Sequence, residues 1–248
     1  MSLQKINLKK PMVHCITNYV VANFTANGLL AIGVSPVMAD SKEEVAEMAS
    51  IADALLLNIG TLNERTVTSM ILAGQSANKH QVPIVLDPVG AGATEYRKST
   101  TYDLLQKVKV DLIRCNVGEL AAIADIKWQA KGVDSGSGDT IDVVEIAKKV
   151  ANKNNCLIIV TGETDVLTDG DKVALITGGN EKITKVTGSG CLLSAICAAL
   201  LASSTEPFTD LKNLLSEYKQ ISEKIDAPIG TFQVQVLNQL ELFSEGKQ

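Results

Sequence analysis

Short apolar runs recur along this chain, each followed by a turn and then by apolar residues at helical spacing. Met12 to Ile16 predicts a strand, and Val20 to Ala31 predicts a helix interrupted by Gly28. Pro36-Val37-Met38-Ala39 predicts a short strand, after which Ser41 stands three residues before Glu44, the pairing of a capping box at a helix start. Ala54 to Ile59 is a nearly continuous apolar run of buried-strand type, followed by a helix from about Asn63 to His80. Pro83 to Leu86, Leu112 to Cys115 and Leu157 to Val160 complete the series, with helices starting at Val117 and at Asp142. Unbroken apolar strands alternating with helices predict a mostly parallel sheet covered on both faces.

From Val166 to Val186 the rhythm shortens to closely spaced strands around Asp169-Gly170-Asp171 and Gly178-Gly179-Asn180, which predicts an antiparallel edge. The rest, from Gly190 on, reads as helix, with amphipathic stretches at Phe208 to Ile225 and Thr231 to Phe243. Ala130 to Asp139 is polar and rich in Gly and Ser, a loop within one domain spanning 1–248.

Composition narrows the function. A net charge of −5 with dispersed basic residues and 4% aromatics gives no nucleic-acid footprint, which needs clustered Lys and Arg with stacking platforms. The first residues lack the apolar core of a signal peptide, and no apolar run is long enough to span a bilayer. The five cysteines are odd in number, scattered and free of Cys-x-x-Cys pairs, and His14 and His80 complete no zinc spacing with them. Reduced thiols in a cytoplasmic protein are the expectation.

In open α/β sheets ligands sit beyond the carboxyl ends of the strands. The polar residues there are His14, Thr17 and Asn18; Met38 to Asp40; Asn58 and Gly60; Asp87 to Thr94; Arg114, Asn116 and Glu119; and Thr161 to Glu163. Thr187-Gly188-Ser189-Gly190-Cys191 then opens an apolar helix, where unpaired N–H groups and the helix dipole make a seat for an anion. Two acids (Asp87, Glu119), a cation for phosphate (Arg114), hydroxyl donors and an anion cradle are the parts of a metal-assisted phosphoryl transferase. Plainer readings stand beside these. Asp87 before Pro88 suits a turn, Asn116 with Glu119 suits a helix cap, Met38 suits a core, Cys191 suits a small helix position, and Cys197 reads as packing.

The chain resembles the hydroxyethylthiazole kinases of the ribokinase-like superfamily. The matching segments are His14-Cys15-Ile16-Thr17-Asn18, Ser35 to Ala39, Leu57 to Leu62, Asp87 to Ala93, Asn116-Val117-Gly118-Glu119, Lys131 to Ser135, Val160-Thr161-Gly162, Thr187 to Cys191 and Ala227 to Phe232. They run in order across nearly the whole chain. The resemblance implies a three-layer sandwich without a lid insertion, and transfer of phosphate from ATP, with Mg²⁺, to 4-methyl-5-(2-hydroxyethyl)thiazole for thiamine diphosphate synthesis. It implies that Arg114 and Thr161 contact ATP, that Gly188, Ser189 and Gly190 cradle phosphate, and that Met38, Gly188 and Asn18 meet the thiazole. Asp87 and Glu119 would then lie near Mg²⁺. Cys191 stands where other kinases of this fold carry an Asp base. The family also implies a homotrimer with active sites between subunits. The alternatives are a hydroxymethylpyrimidine or pyridoxal kinase and a nucleotide-dependent dehydratase of hydrated NAD(P)H, both of which normally keep that Asp.

Overall fold

A computed structural model describes residues 1–126 and 142–247. The Gly/Ser-rich loop expected at 130–139, and the matching segment at 131–135, lie outside the described residues.

Among the described residues, eight strands form one sheet. They are β1 (Met12–Ile16), β2 (Ser35–Val37), β3 (Ala54–Asn58), β4 (Ile84–Asp87), β5 (Leu112–Asn116), β6 (Leu157–Thr161), β7 (Asp165–Thr168) and β8 (Val173–Ile176), in the order β2-β1-β3-β4-β5-β6-β7-β8. Pairing is parallel from β2 through β6 and antiparallel through β7 and β8, the edge foreseen from the close turns. The helices are α1 (Ser2–Lys9), α2 (Ala22–Ala31), α3 (Val45–Ile51), α4 (Glu64–Lys79), α5 (Glu95–Lys107), α6 (Val117–Ile123), α7 (Val143–Asn154), α8 (Ser189–Leu201), α9 (Pro207–Glu223) and α10 (Ile229–Glu245).

Strand side chains alternate between two apolar cores. Leu56, Val85, Leu112 and Ile159 pack with α1, α2, α8, α9 and α10 on one face, whereas Leu55, Leu57, Ile84, Ile113 and Ile158 pack with α3 to α7 on the other. A sheet sandwiched in this way buries every residue of β3, and each fully buried leucine there contributes about 2 kcal/mol. Most polar groups of the parallel strands fall at the strand ends, and His14 in β1 and Arg114 in β5 are mid-strand exceptions.

Three expectations need correction. Ser41 and Glu44 form no capping box: α3 starts at Val45, so Glu44 falls at the N-cap rather than one turn inside, and Ser41 Oγ instead donates to Glu43 (2.5 Å). Gly28 does not interrupt α2; a Cβ there would lie 2.4 Å from Leu192 Cδ1, so the glycine lets α8 pack against α2. The turn after β8 leads into a 3₁₀ helix at Glu181–Lys185, not another strand. Two helices, α1 and α5, carry weak apolar patterns. The inward face of α5 is Thr100, Thr101 and Leu104, and threonines give little periodic signal. Among the described residues no helix is long and apolar enough to cross a membrane. All five cysteines are free.

Candidate active site

The parallel strands deliver their last polar residues to one end of the sheet. Register places Asn58 opposite Asp87, and Asn116 opposite Thr161. Facing them is the start of α8. Gly188 is its N-cap at φ +89°, a left-handed conformation that favours glycine, and a Cβ there would meet Val21 Cγ1 at 2.6 Å. Tyr218 on α9 fixes this turn by donating its hydroxyl to the Ser189 carbonyl (2.8 Å). Ser189 does not join the expected cradle: its Oγ donates to the Ile183 carbonyl (2.9 Å) and its amide to the Val186 carbonyl (3.2 Å), so both its donors are used within the turn.

Asp87 is fully buried and is not a turn residue but the end of β4. Its Oδ2 accepts from Asn58 Nδ2 (2.7 Å) and Ser194 Oγ (2.9 Å). Its Oδ1 has no hydrogen-bond partner among the described residues, and Arg114 Nη1 stands 4.0 Å away. Burial pushes the acid up to about 6; Glu119 adds to this, while Arg114, Ser194 and Asn58 oppose it.

Arg114 donates to Thr161 Oγ1 and lies flat against α8, where a Cβ on Gly190 would sit 2.4 Å from its Nη1. Burial works against the guanidinium charge, but Asp87 and Glu119 outweigh it and hold the group above its ordinary value. The capping reading of Asn116 and Glu119 is correct: Asn116 Oδ1 accepts from the Glu119 amide (2.9 Å), and Glu119 Oε2 accepts from the Asn116 amide (2.8 Å). The other oxygen of Glu119 accepts from the Gly90 amide (2.8 Å), so one carboxylate both caps α6 and ties down the loop after β4.

Cys191 sits in the first turn of α8 with its Sγ 3.7 Å from Asn18 Nδ2. Burial, then the nearby charge of Asp87, push the thiol up to about 11, so it holds its proton near neutrality. The positive end of a helix does not override burial here. Cys197 is packing, fully buried two turns on.

Met38 is half-buried at the β2 edge and lines a cavity of about 280 Å³ with Cys15, Thr17, Thr61 and Arg65. His14 reaches the Ala39 carbonyl through Nε2 (2.8 Å), which tethers the segment carrying Met38. A carbonyl only accepts, so Nε2 bears the hydrogen, and burial keeps the imidazole below its ordinary value. Among the described residues, no group of three or more His, Cys, Asp or Glu is gathered as for a metal held by protein alone.

Asp87, Arg114, Thr161, Gly190, Cys191 and Asn18 thus form one connected cluster, with Asp87 and Asn18 buried at its base, and Met38 borders it along β1 and β2. Sequence reading passed over two residues. Ser194 was legible as a lone hydroxyl in an apolar helix. Arg97 lies on α5, where the helix itself gave little signal; it donates to the carbonyls of Ile59, Val89 and Gly60 (each 2.7 Å) and binds the loops after β3 and β4 together.

The sequence model of the hydroxyethylthiazole kinase family matches residues 3–245. The chain belongs to that family. A relative in Lysinibacillus sphaericus (strain C3-41), named hydroxyethylthiazole kinase, is 54% identical over 248 residues, covering 99% of this chain and 97% of that protein. The solved structure of a hydroxyethylthiazole kinase protein from Pyrococcus horikoshii OT3 superposes with a TM-score of 0.85 at 36% identity, covering 97% of this chain and 91% of that one. A ribokinase-like superfamily protein from Enterococcus faecalis V583 has a TM-score of 0.70 at 12% identity, covering 98% of this chain and 89% of that one, a likeness of fold.

Proposed function

We propose that this protein transfers the terminal phosphoryl group of ATP to the hydroxyl of 4-methyl-5-(2-hydroxyethyl)thiazole, supplying the thiazole phosphate for thiamine diphosphate synthesis. The observation that carries the reading is the convergence of the α8 N-terminus, Arg114 and the open oxygen of Asp87 in a chain of this family. Arg114 and Thr161 take the phosphates of ATP, and the amides of Gly188 and Gly190 take the charge that develops on the transferred group. Met38, Gly188 and Asn18 hold the thiazole alcohol against that cradle, with the cavity of about 280 Å³ beside Met38 receiving the ring.

Mg²⁺ fits the donor set. A buried carboxylate oxygen without a partner suits a hard cation, which keeps several waters and needs only one or two acids. Asp87 would hold it directly or through water, with Glu119 nearby as a second acid. When bound, the ion neutralises charge on the phosphates. The chain's own residues do the rest by placing the alcohol in line and excluding water.

Because its thiol is pushed up to about 11, Cys191 keeps its own proton near neutrality and is no base; a loose phosphoryl transition state needs little early deprotonation, so the alcohol's proton passes to an oxygen of the transferred phosphate. Cys191→Asp is expected to keep or raise kcat, since a carboxylate accepts the alcohol proton through a shorter hydrogen bond. Steady-state kinetics on the folded variant check this, and a folded but inactive enzyme counts against it.

Cover for the site comes from a neighbouring copy in a homotrimer. Tyr19 (81% exposed) and Val20 (60% exposed) lie beside the cavity as uncovered apolar surface. Light scattering is expected to give three times the 26.3 kDa chain mass, and Tyr19→Asp to lower it. A panel of alcohols (thiazole, hydroxymethylpyrimidine, pyridoxal and ribose) assayed with ATP and Mg²⁺ tests the substrate, and preference for any other alcohol overturns it.

A further inference from the structure

Asn58 is a polar residue at the end of an otherwise apolar run, and it is 1% exposed. Such a group is costly unless its amide is bonded. Its Oδ1 accepts from the Gly60 amide (3.0 Å) and from Asn18 Nδ2 (2.8 Å), while its Nδ2 donates to Asp87 Oδ2 (2.7 Å). The amide has one possible orientation. A backbone N–H only donates, so the oxygen faces Gly60, and an ionised carboxylate only accepts, so the nitrogen faces Asp87.

Each neighbour is itself held. Arg97 grips the Gly60 carbonyl, and a Cβ on Gly60 would lie 2.4 Å from Asn18 Nδ2, so this backbone sits directly under the Asn18 amide. Asn18 in turn reaches Cys191 Sγ (3.7 Å). Ser194 places a second donor (2.9 Å) on the same Asp87 oxygen that Asn58 holds, and Oδ1 is left without a partner.

We propose that Asn58 is a positioning residue for phosphoryl transfer: its amide joins the alcohol side of the site, through Asn18 and Cys191, to the phosphate side, through Asp87. It saturates Oδ2 and so turns Oδ1 toward Arg114 and the incoming phosphates. The inference rests on the kinase reading above. Asn58 touches neither substrate nor nucleotide in this scheme, and it acts by fixing the two side chains that do.

The two arms of the amide separate experimentally. Asn58→Asp keeps an acceptor for Asn18 and Gly60 but replaces the donor to Asp87 with a second carboxylate, and two such groups in contact cannot both stay ionised. The expected result is a fall in kcat of about 100-fold, as for a misplaced reacting group. The KM for thiazole alcohol, and its affinity measured by calorimetry without metal, stay within about threefold of wild type. Asn58→Ala removes both arms, so it lowers kcat as much and in addition weakens thiazole alcohol binding in the calorimeter.

Ser194→Ala, which deletes the companion donor at little structural risk, lowers kcat about tenfold with the same KM values. It decides the matter if neither Asn58 variant folds by circular dichroism. Wild-type enzyme that phosphorylates none of the alcohols overturns the kinase reading itself. An active wild type with a folded Asn58→Asp variant of unchanged kcat overturns the positioning role alone, as does equal loss of kcat and thiazole affinity in Asn58→Asp. An unchanged kcat in Ser194→Ala, where only that variant folds, overturns it too.

Discussion

Asp87→Asn is expected to abolish turnover, by about 1,000-fold or more, and yet to melt at a higher temperature than the wild type at pH 8. Both effects come from one buried charge. The carboxylate is fully buried, and its ordinary value of 3.8 is pushed up to about 6 in the fold, chiefly by burial. A raised value means that folding favours the protonated form. The resulting stability is present below pH 4 and is lost as pH rises from there through 6, after which the penalty is constant. Two units correspond to roughly 3 kcal/mol. Asparagine keeps the shape and the acceptor for Asn58 and Ser194 but carries no charge, so it escapes that penalty. A gain of roughly 5 °C at pH 8 follows, shrinking toward zero at pH 4. Thermal melts across pH, alongside steady-state kinetics, check the pair of effects. A variant that melts lower at pH 8 would mean that Arg114 depends on the charge more than burial penalises it. In the wild type the same titration predicts activity falling as pH drops through about 6, where the acid needed beside the phosphates is neutralised.

Gly190→Ala is the second large effect, and it separates function from folding. Residue 190 has ordinary helical geometry in the first turn of α8, where alanine is the better helix former by about 1 kcal/mol. The added Cβ, however, would lie 2.4 Å from Arg114 Nη1, 2.8 Å from Nη2 and 2.9 Å from Cζ. The guanidinium is the far end of a flexible side chain, so it yields before the helix does. Moving it breaks its bond to Thr161 and its approach to Asp87, and it also fills the space in front of the cradle amides. The expected outcome is a loss in kcat/KM for ATP of about 100-fold, with the melting temperature held to within about 2 °C. A variant with wild-type kinetics would show that Arg114 need not lie against the helix for transfer.

Much of this fold was legible because the sheet is apolar on both faces. Leu55, Leu56 and Leu57 announce a buried strand whichever face each one meets, and the same holds for β5 and β6. The antiparallel edge showed in closely spaced Gly-containing turns. What escaped were elements whose inward faces are not hydrophobic: α5 buries two threonines, and α1 sends only Ser2, Leu3 and Ile6 inward. Gly28 was misread for a related reason. Its meaning is the approach of Leu192, a residue far along the chain, and no local pattern contains that. At the site, chemistry-bearing residues were visible one by one at strand ends, because a charge such as Arg114 beside an apolar run demands a partner. The hydrogen bonds that orient them were not visible, since Asn58, Ser194 and Arg97 act across separations set by the sheet order.

The Arg97 clamp bears on motion. Three carbonyls from two successive crossover loops share one guanidinium, so neither loop can swing without carrying the other, and Glu119 anchors the second loop again at Gly90. The floor of the cleft is thereby rigid before any ligand arrives. The opposite wall, along the chain from Met38 to Ser41, is tied only by the His14 bond to the Ala39 carbonyl and by the exposed Arg65–Asp40 pair, so adjustment to an arriving alcohol falls there. Slow amide exchange at Gly90 beside fast exchange at Asp40 would be the signature of that division of labour.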